Sequence, residues 1–325
     1  MKFHRRQFLH VSAGAFALPA VSRVACAQSY PSRPVRIIVG FAPGSGSDIV
    51  ARLLGQWLSE RLHQPFITEN RPGAGGNLGA EAVVKATPDG HTLLLVATPN
   101  AINATLYDKL NFNFIHDIEP VASISREPNV IVVNPSVPAR TVPEFIAYAK
   151  ANPDKIAMAS AGNGSSSHLA GALFQNMAGI SMVHVPYRGA PPAITDLISG
   201  QAQFFAAPTS VLIEHIRAGK VRPLAVTTSQ RSNALADIPT VAETMPGFEA
   251  STWFGLGAPK GTPAQIINRL NEETNAALTD PKIKARLAAL GGATLVGSPA
   301  DFGKFIVDET EKWGQLVRAA NIRVG

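Results

Sequence analysis

Two short segments carry the residue types needed to grip an anion. One is Phe41-Ala42-Pro43-Gly44-Ser45-Gly46-Ser47-Asp48, and the other is Ser160-Ala161-Gly162-Asn163-Gly164-Ser165-Ser166-Ser167-His168. Each lies between a β-rich apolar run and a stretch of helical periodicity, so each reads as a strand-to-helix turn. Small residues there let the backbone approach a ligand closely. The amides at the helix start, with the helix dipole behind them, favour negative charge. Read structurally, the same turns are simply tight, with Ser47 or Asp48 as a helix N-cap in the first. Two matching turns, one in each half of the chain, suit a small carboxylate held between them. Thr98, after a third apolar run, falls on the carboxyl-end edge where open α/β sheets bind ligands, and offers a hydroxyl donor. The glycine-rich segment 70–77 is either a loop over a cleft mouth or a structural turn.

Other chemistries fit less well. Gly44-Ser45-Gly46 supplies two glycines of a dinucleotide fingerprint, and Glu69 stands where a ribose-binding acid would, but Ile49 occupies the third small position. No lysine follows the turn, which excludes a Walker-type phosphate loop. There is no Gly-x-Ser-x-Gly elbow. A hydrolase would have to use His168 with a neighbouring serine, whereas a helix-start histidine reads first as a structural one. His184 and His215 stand alone, without carboxylates at metal-ligand spacing. No catalytic set, metal site or cofactor is therefore expected.

The elements that position these turns come from a chain of 325 residues, 46% hydrophobic and 16% charged, with 27 Gly and 25 Pro. That supports about two domains of roughly 150 residues and excludes general disorder. A net charge of +6 and a pI of about 9.6 would fit a nucleic-acid partner. Yet Lys2, Arg5, Arg6 and Arg23, with no acid among them, place four of those six charges in residues 1–27. An apolar stretch over 11–21 follows, and Ala25-Cys26-Ala27 sets up cleavage before Gln28. The stretch falls short of the ~20 apolar residues of a membrane span. Residues 1–27 thus read as a cleaved export signal and the mature protein as periplasmic. Arg5-Arg6 followed by Gln7-Phe8-Leu9 resembles the twin-arginine pattern, with His4 and His10 off it; an ordinary secretory signal is the other reading. The mature chain is nearly charge-balanced and without cysteine, so no disulfide, thiolate metal site or nucleic-acid partner is expected.

Strands over 35–41, 65–68 and 92–97 alternate with helices over 48–62 and 79–87. After Asn134-Pro135 the alternation restarts, with helices over 142–151, 168–177 and 192–199 and strands over 156–160, 182–186 and 203–206. Segments 212–218 and 224–228 continue it. After 253–258 come three helices, 263–278, 281–290 and 299–320, each opened by a proline. This pattern predicts an α/β fold of parallel strands joined by crossovers. The expected division is residues 28–128 with 250–325 in one lobe and 129–249 in the other. The helical tail is expected to pack on the first lobe, and the chain crosses twice, leaving a hinged cleft.

Longer motifs carry a family resemblance. The runs Tyr30-Pro31-Ser32-Arg33-Pro34-Val35-Arg36-Ile37-Ile38-Val39 and Glu69-Asn70-Arg71-Pro72-Gly73-Ala74-Gly75-Gly76-Asn77 resemble the Bug family, the TctC-like solute receptors of tripartite tricarboxylate transporters. So do His168-Leu169-Ala170-Gly171, His184-Val185-Pro186-Tyr187-Arg188-Gly189 and Trp253-Phe254-Gly255-Leu256, together with both turns above. The resemblance covers the whole mature chain. It implies a two-lobe type II periplasmic-binding-protein fold that closes on a small organic carboxylate, held by backbone amides and waters of the two turns. It further implies a monomeric receptor, not an enzyme, that delivers its ligand to membrane transporter subunits. A receptor that reports to a sensor kinase, or an exported hydrolase, are the alternatives. One departure stands out: where the family commonly has an Asp after its Gly-Gln-x-Asp run, this chain has Ala207. That points to a ligand without a positive group, because a buried ammonium needs a counter-charge.

Overall fold

The computed structural model describes residues 30–107, 109–319 and 322; the expected export signal lies outside the described residues. In chain order the first part reads β1 (Val35–Val39), α1 (Gly46–Leu62), β2 (Phe66–Asn70), α2 (Asn77–Val84) and β3 (Thr92–Ala97). Two helices, α3 (Thr98–Leu106) and α4 (Phe114–Asp117), precede the 16-residue strand β4 (Ile118–Val133). The middle part runs α5 (Val142–Ala151), β5 (Ala157–Ser160), α6 (Ser166–Ala178), β6 (Val183–Pro186) and α7 (Ala190–Ser199). It ends with β7 (Phe204–Pro208), α8 (Thr209–Arg217) and β8 (Arg222–Val226). The last part is β9 (Ser251–Pro259), α9 (Ala264–Thr279), α10 (Pro281–Ala289), the short β10 (Ala293–Thr294) and α11 (Pro299–Ala319).

The strands follow the order β2-β1-β3-β9-β4-β7-β5-β6, with β8 and β10 also paired to β4. Pairs β1–β2, β1–β3, β5–β6 and β5–β7 are parallel, as the alternation predicts. The middle differs from that expectation. β4 is antiparallel to β9 along Ile118–Pro128, and its far end, from Asn129, is antiparallel to β7 and β8. One unbroken strand therefore leaves the first lobe and enters the second. The return crossing is stitched to it by a buried polar knot. The Thr227 hydroxyl donates to Ala250 O at 2.6 Å, Asn129 Nδ2 donates to the same carbonyl at 2.8 Å, and the Thr252 hydroxyl donates to Asn129 Oδ1 at 2.8 Å. A satisfied buried network of this kind fixes two chain crossings at one place.

Apolar clusters lie on both faces of each half-sheet. α1 packs on β1 and β2 and α9 on β4, with Leu54, Leu58, Leu270 and Leu278 in one cluster, while Phe145, Phe174, Phe204 and Phe248 fill the second lobe. The tail, expected to pack on the first lobe, reaches two of the apolar clusters. In α11, Phe302 and Ile306 pack on Trp253, whereas Trp313 and Val317 join the second-lobe cluster with Ile102 and Leu106 of α3. Glu309 Oε2 accepts from Trp253 Nε1 of β9 at 2.9 Å and from Trp313 Nε1 of its own helix at 3.1 Å, so a buried carboxyl ties α11 to β9. Among the described residues no helix is long and apolar enough to cross a membrane.

The first turn depends on a close backbone approach. A Cβ on Gly40 would stand 2.7 Å from both Cα and O of Gly76, and one on Gly79 would stand 2.8 Å from Gly40 Cα. Backbone cannot yield as a side chain can. Gly40→Ala is expected to cost about 1–3 kcal/mol and lower the melting temperature by several degrees, checked by thermal unfolding followed by circular dichroism.

Candidate functional site

The turn after β1 is built around Asp48. Ser45, the N-cap of α1, accepts from Asp48 N at 3.3 Å, and the Asp48 carboxylate accepts from Gly44 N, Asn70 Nδ2 and Arg52 Nε at 2.9, 2.9 and 3.0 Å. Asn70 also donates to Phe41 O, at 2.9 Å. Burial alone would raise the Asp48 carboxyl, but the bonds from Arg52, Gly44 and Asn70 hold it below its ordinary value. Its charge is thereby committed to shaping the turn.

The turn after β5 has the same plan with different side chains. Ser165 caps α6, accepting from His168 N at 3.3 Å and donating to Gly162 O at 2.6 Å. Ser167 Oγ accepts from Ala161 N at 2.8 Å, and Ser160 Oγ from Gly162 N at 3.2 Å. His168 Nδ1 accepts from Gly164 N at 3.2 Å, and its ring stacks on His184 with centroids 4.1 Å apart. Burial, and then the neighbouring His184, push the His168 imidazole down to about 3, so it remains a neutral acceptor.

The only bond to the His168 ring among the described residues comes from Gly164, not from a serine hydroxyl. Ser160 Oγ does lie 2.6 Å from His184 Nε2, but Ser160 is fully buried at the end of β5 and lines neither chamber described below. Among the described residues no group of three or more His, Cys, Asp or Glu could hold a metal.

Both turns face one cleft with two chambers. The inner chamber, about 40 Å³, is lined by Phe41, Ser45, Gly46, Ser47, Ala161, Ser165 and Ser166 of the expected set. That is room for roughly three water molecules, or a carboxylate group with part of its solvation. The outer chamber, about 490 Å³, takes Ala42, Gly162 and Asn163, shares Phe41 and Ala161, and includes loop residues 72–76. Pro43, Gly44, Asp48, Ser160, Gly164 and His168 line neither, and all but Pro43 take part in the hydrogen bonds above. Thr98, expected as a ligand donor, is turned away: its hydroxyl accepts from Trp253 N at 2.8 Å. It is fully buried at the start of α3, and its neighbours Ala97 and Pro99 line the chamber instead.

The remaining lining comes from Ser167, Ala190, Phe205, Ala207, Pro208, Val211, Thr252 and Phe254. Position at a strand's carboxyl end could have flagged Ala97, Ala207 and Pro208. Thr252 and Phe254 lie on the antiparallel β9 and carry no such local mark.

No charged side chain lines the inner chamber. An anion there would be met by backbone amides rather than by a cationic side chain. Gly46 and Ser47 of α1, and Ser166 and Ser167 of α6, carry first-turn amides that a helix leaves without internal partners. None of the four donates to another protein atom among the described residues, and all four residues line this chamber. Just behind Gly46 lies Glu127 of β4; a Cβ on Gly46 would stand 3.0 Å from Ser210 Oγ and 3.3 Å from Glu127 Oε1. Burial pushes the Glu127 carboxyl up to about 8, against the pull of bonds from Ser210 N and its hydroxyl at 3.0 and 2.9 Å. At neutral pH it is an uncharged acid and does not oppose an anion next to it.

Known proteins resemble this chain in sequence and fold. A family model described as tripartite tricarboxylate transporter family receptor matches residues 50–322. Protein BugT of Bordetella pertussis is 36% identical over 311 residues, covering 95% of this chain and 95% of that protein. The structure of R. palustris Rpa4515 with adipate has a TM-score of 0.88 at 34% identity, covering 90% of this chain and 99% of that one. MatC from Rhodopseudomonas palustris with bound malate has a TM-score of 0.85 at 32% identity, covering 89% and 100%. The two-lobe fold is therefore that of periplasmic solute-binding proteins.

Proposed function

The chain belongs to the tripartite tricarboxylate transporter receptor family, whose members are periplasmic solute-binding proteins, and we propose that it captures a small carboxylate lacking a positive group. In this reading it is an exported monomer that delivers its ligand to a membrane transporter and performs no chemistry on it. The observation that carries the proposal is the set of four unpartnered amides, two from each lobe, on one uncharged chamber. Such amides stabilise a carboxylate, and because they come from both lobes they favour the closed form when the ligand is present. The relatives bound to adipate and malate support the same ligand class. Ala207 supplies no carboxylate to the lining, and Glu127 behind Gly46 is uncharged and bonded to Ser210, so an ammonium group would find no ionised counter-charge.

A thermal-shift screen tests this. A carboxylate present at about a hundred times its Kd should stabilise the protein by about 3 kcal/mol, a rise of roughly 5–10 °C in Tm. Adipate, malate or hexanoate should produce such a shift and aspartate or glutamate should not. Stabilisation by amino acids with none from plain carboxylates would sink the reading. Mass spectrometry of small molecules released from the purified protein would then identify the ligand.

A further inference from the structure

We propose that carboxylate capture is coupled to a proton on Glu127: the anion binds while this acid is neutral, and loss of its proton weakens binding. This rests on the carboxylate reading of the inner chamber. Glu127 stands on β4 just before that strand crosses into the second lobe. Its carboxyl is wedged between the starts of two helices from different lobes. Oε2 accepts from Ser210 N of α8 at 3.0 Å, and Oε1 pairs with the Ser210 hydroxyl at 2.9 Å. Oε1 also lies 3.3 Å from where a Cβ on Gly46 of α1 would stand. The neutral acid can donate its proton to the Ser210 oxygen, so that proton has a place in the fold. Glu127 lines neither chamber, but Gly46 carries one of the four amides offered to the ligand.

The charges around this acid are committed to one another. Arg126 pairs with Glu249, which Lys312 also approaches at 4.0 Å, Arg231 pairs with Glu243 at 2.9 Å, and Asp48 with Arg52 at 3.0 Å. On α9, Glu273 pairs with Arg61 and Arg269, and Glu309 of α11 accepts from two indoles. The first turn of α8 carries no titratable group, and Lys282, Lys284 and Arg286 of α10 are exposed. Burial alone raises Glu127 to about 8, opposed only by Ser210. Glu127 also lines a separate, open cavity of about 460 Å³, walled by residues 228–234 and 291–293, so its proton can exchange with solvent without passing the ligand. Once ionised, it repels a bound carboxylate. At about 6–8 Å and an effective dielectric of about 20, that repulsion amounts to roughly thirty- to a hundredfold in affinity. The coupling is reciprocal: a bound carboxylate raises Glu127 further, and binding above about pH 8 takes a proton from solvent.

Calorimetric titration with whichever of adipate, malate and hexanoate binds best provides the test. All three are ionised above about pH 7, so the ligand itself takes up no proton there. Wild-type affinity should be level between about pH 6.5 and 7.5 and fall roughly tenfold by about pH 9. At about pH 8.5 the heat should vary with the ionisation enthalpy of the buffer, reporting uptake of roughly half a proton or more. Glu127→Gln should hold its affinity across this range and take up none. Glu127→Met, uncharged and of similar volume, should do the same, and stands in for a glutamine variant that fails to fold. A fall in affinity that survives either folded variant, or a flat wild-type profile without proton uptake, overturns the coupling alone. Failure of all three acids to bind overturns the carboxylate reading beneath it and the coupling with it.

Discussion

Replacing Ala207 by aspartate should weaken carboxylate binding by on the order of a hundredfold. Ala207 is fully buried on β7 and lines the inner chamber, where no charged side chain now stands. Two like charges about 5 Å apart, at an effective dielectric of about 20, repel by about 3 kcal/mol, which is that loss of affinity. Ala207→Asn fills the same space without charge, so the difference between the two variants isolates the electrostatic part. Calorimetry on the acid that binds the wild type best should show a much weaker Kd for Ala207→Asp, recovering as pH falls and the new carboxyl is protonated. The same variant should acquire measurable affinity for an amino acid, whose ammonium gains a partner. Equal Kd values for the Asp and Asn variants would show that the ligand's acid lies elsewhere.

Glu127→Gln should remove a large pH dependence from stability. In the folded protein burial lifts this carboxyl from 4.5 to about 8. Between those values the native state holds a proton that the unfolded chain has lost. Wild-type stability therefore falls as pH rises from roughly 4.5 to about 8, by about 1.4 kcal/mol per pH unit from this group, and levels off above. Across the window the loss is about 5 kcal/mol. The glutamine can accept from Ser210 N and donate to the Ser210 hydroxyl, so it keeps both contacts of the neutral acid. Chemical denaturation should show the two proteins similar near pH 5 and the variant several kcal/mol more stable near pH 9. Parallel stability curves would show that Glu127 is ionised in the fold.

Both residues show what a linear reading leaves hidden. Ala207 was visible in the sequence only as a missing acid within a resembling motif, and Glu127 only as a charge beside an apolar run. Ala207 stands at a strand's carboxyl end, but which cleft it faces follows only from β7 pairing with β4, Ala207 opposite Val130, and Glu127 cannot be placed at all without knowing that β4 is one strand through both lobes. Thr98 failed in the opposite sense. A hydroxyl at a strand end looks available until β9 arrives beside it and its backbone N–H takes the oxygen.

The sequence by itself determined the local chemistry: two small-residue turns capping α1 and α6, a cysteine-free and nearly charge-balanced stretch from residue 28 onward, and the alternation that makes parallel half-sheets. These follow from neighbours within a few residues, where capping, periodicity and turn geometry act. Tertiary structure decided which turn meets which, that β4 and β9 run antiparallel through the middle, that α11 reaches two apolar clusters, and that the chamber carries no charge. Those outcomes depend on side chains brought together from more than a hundred residues apart, as Trp253 and Thr98 are. Strand pairing and burial, rather than any local pattern, select such contacts.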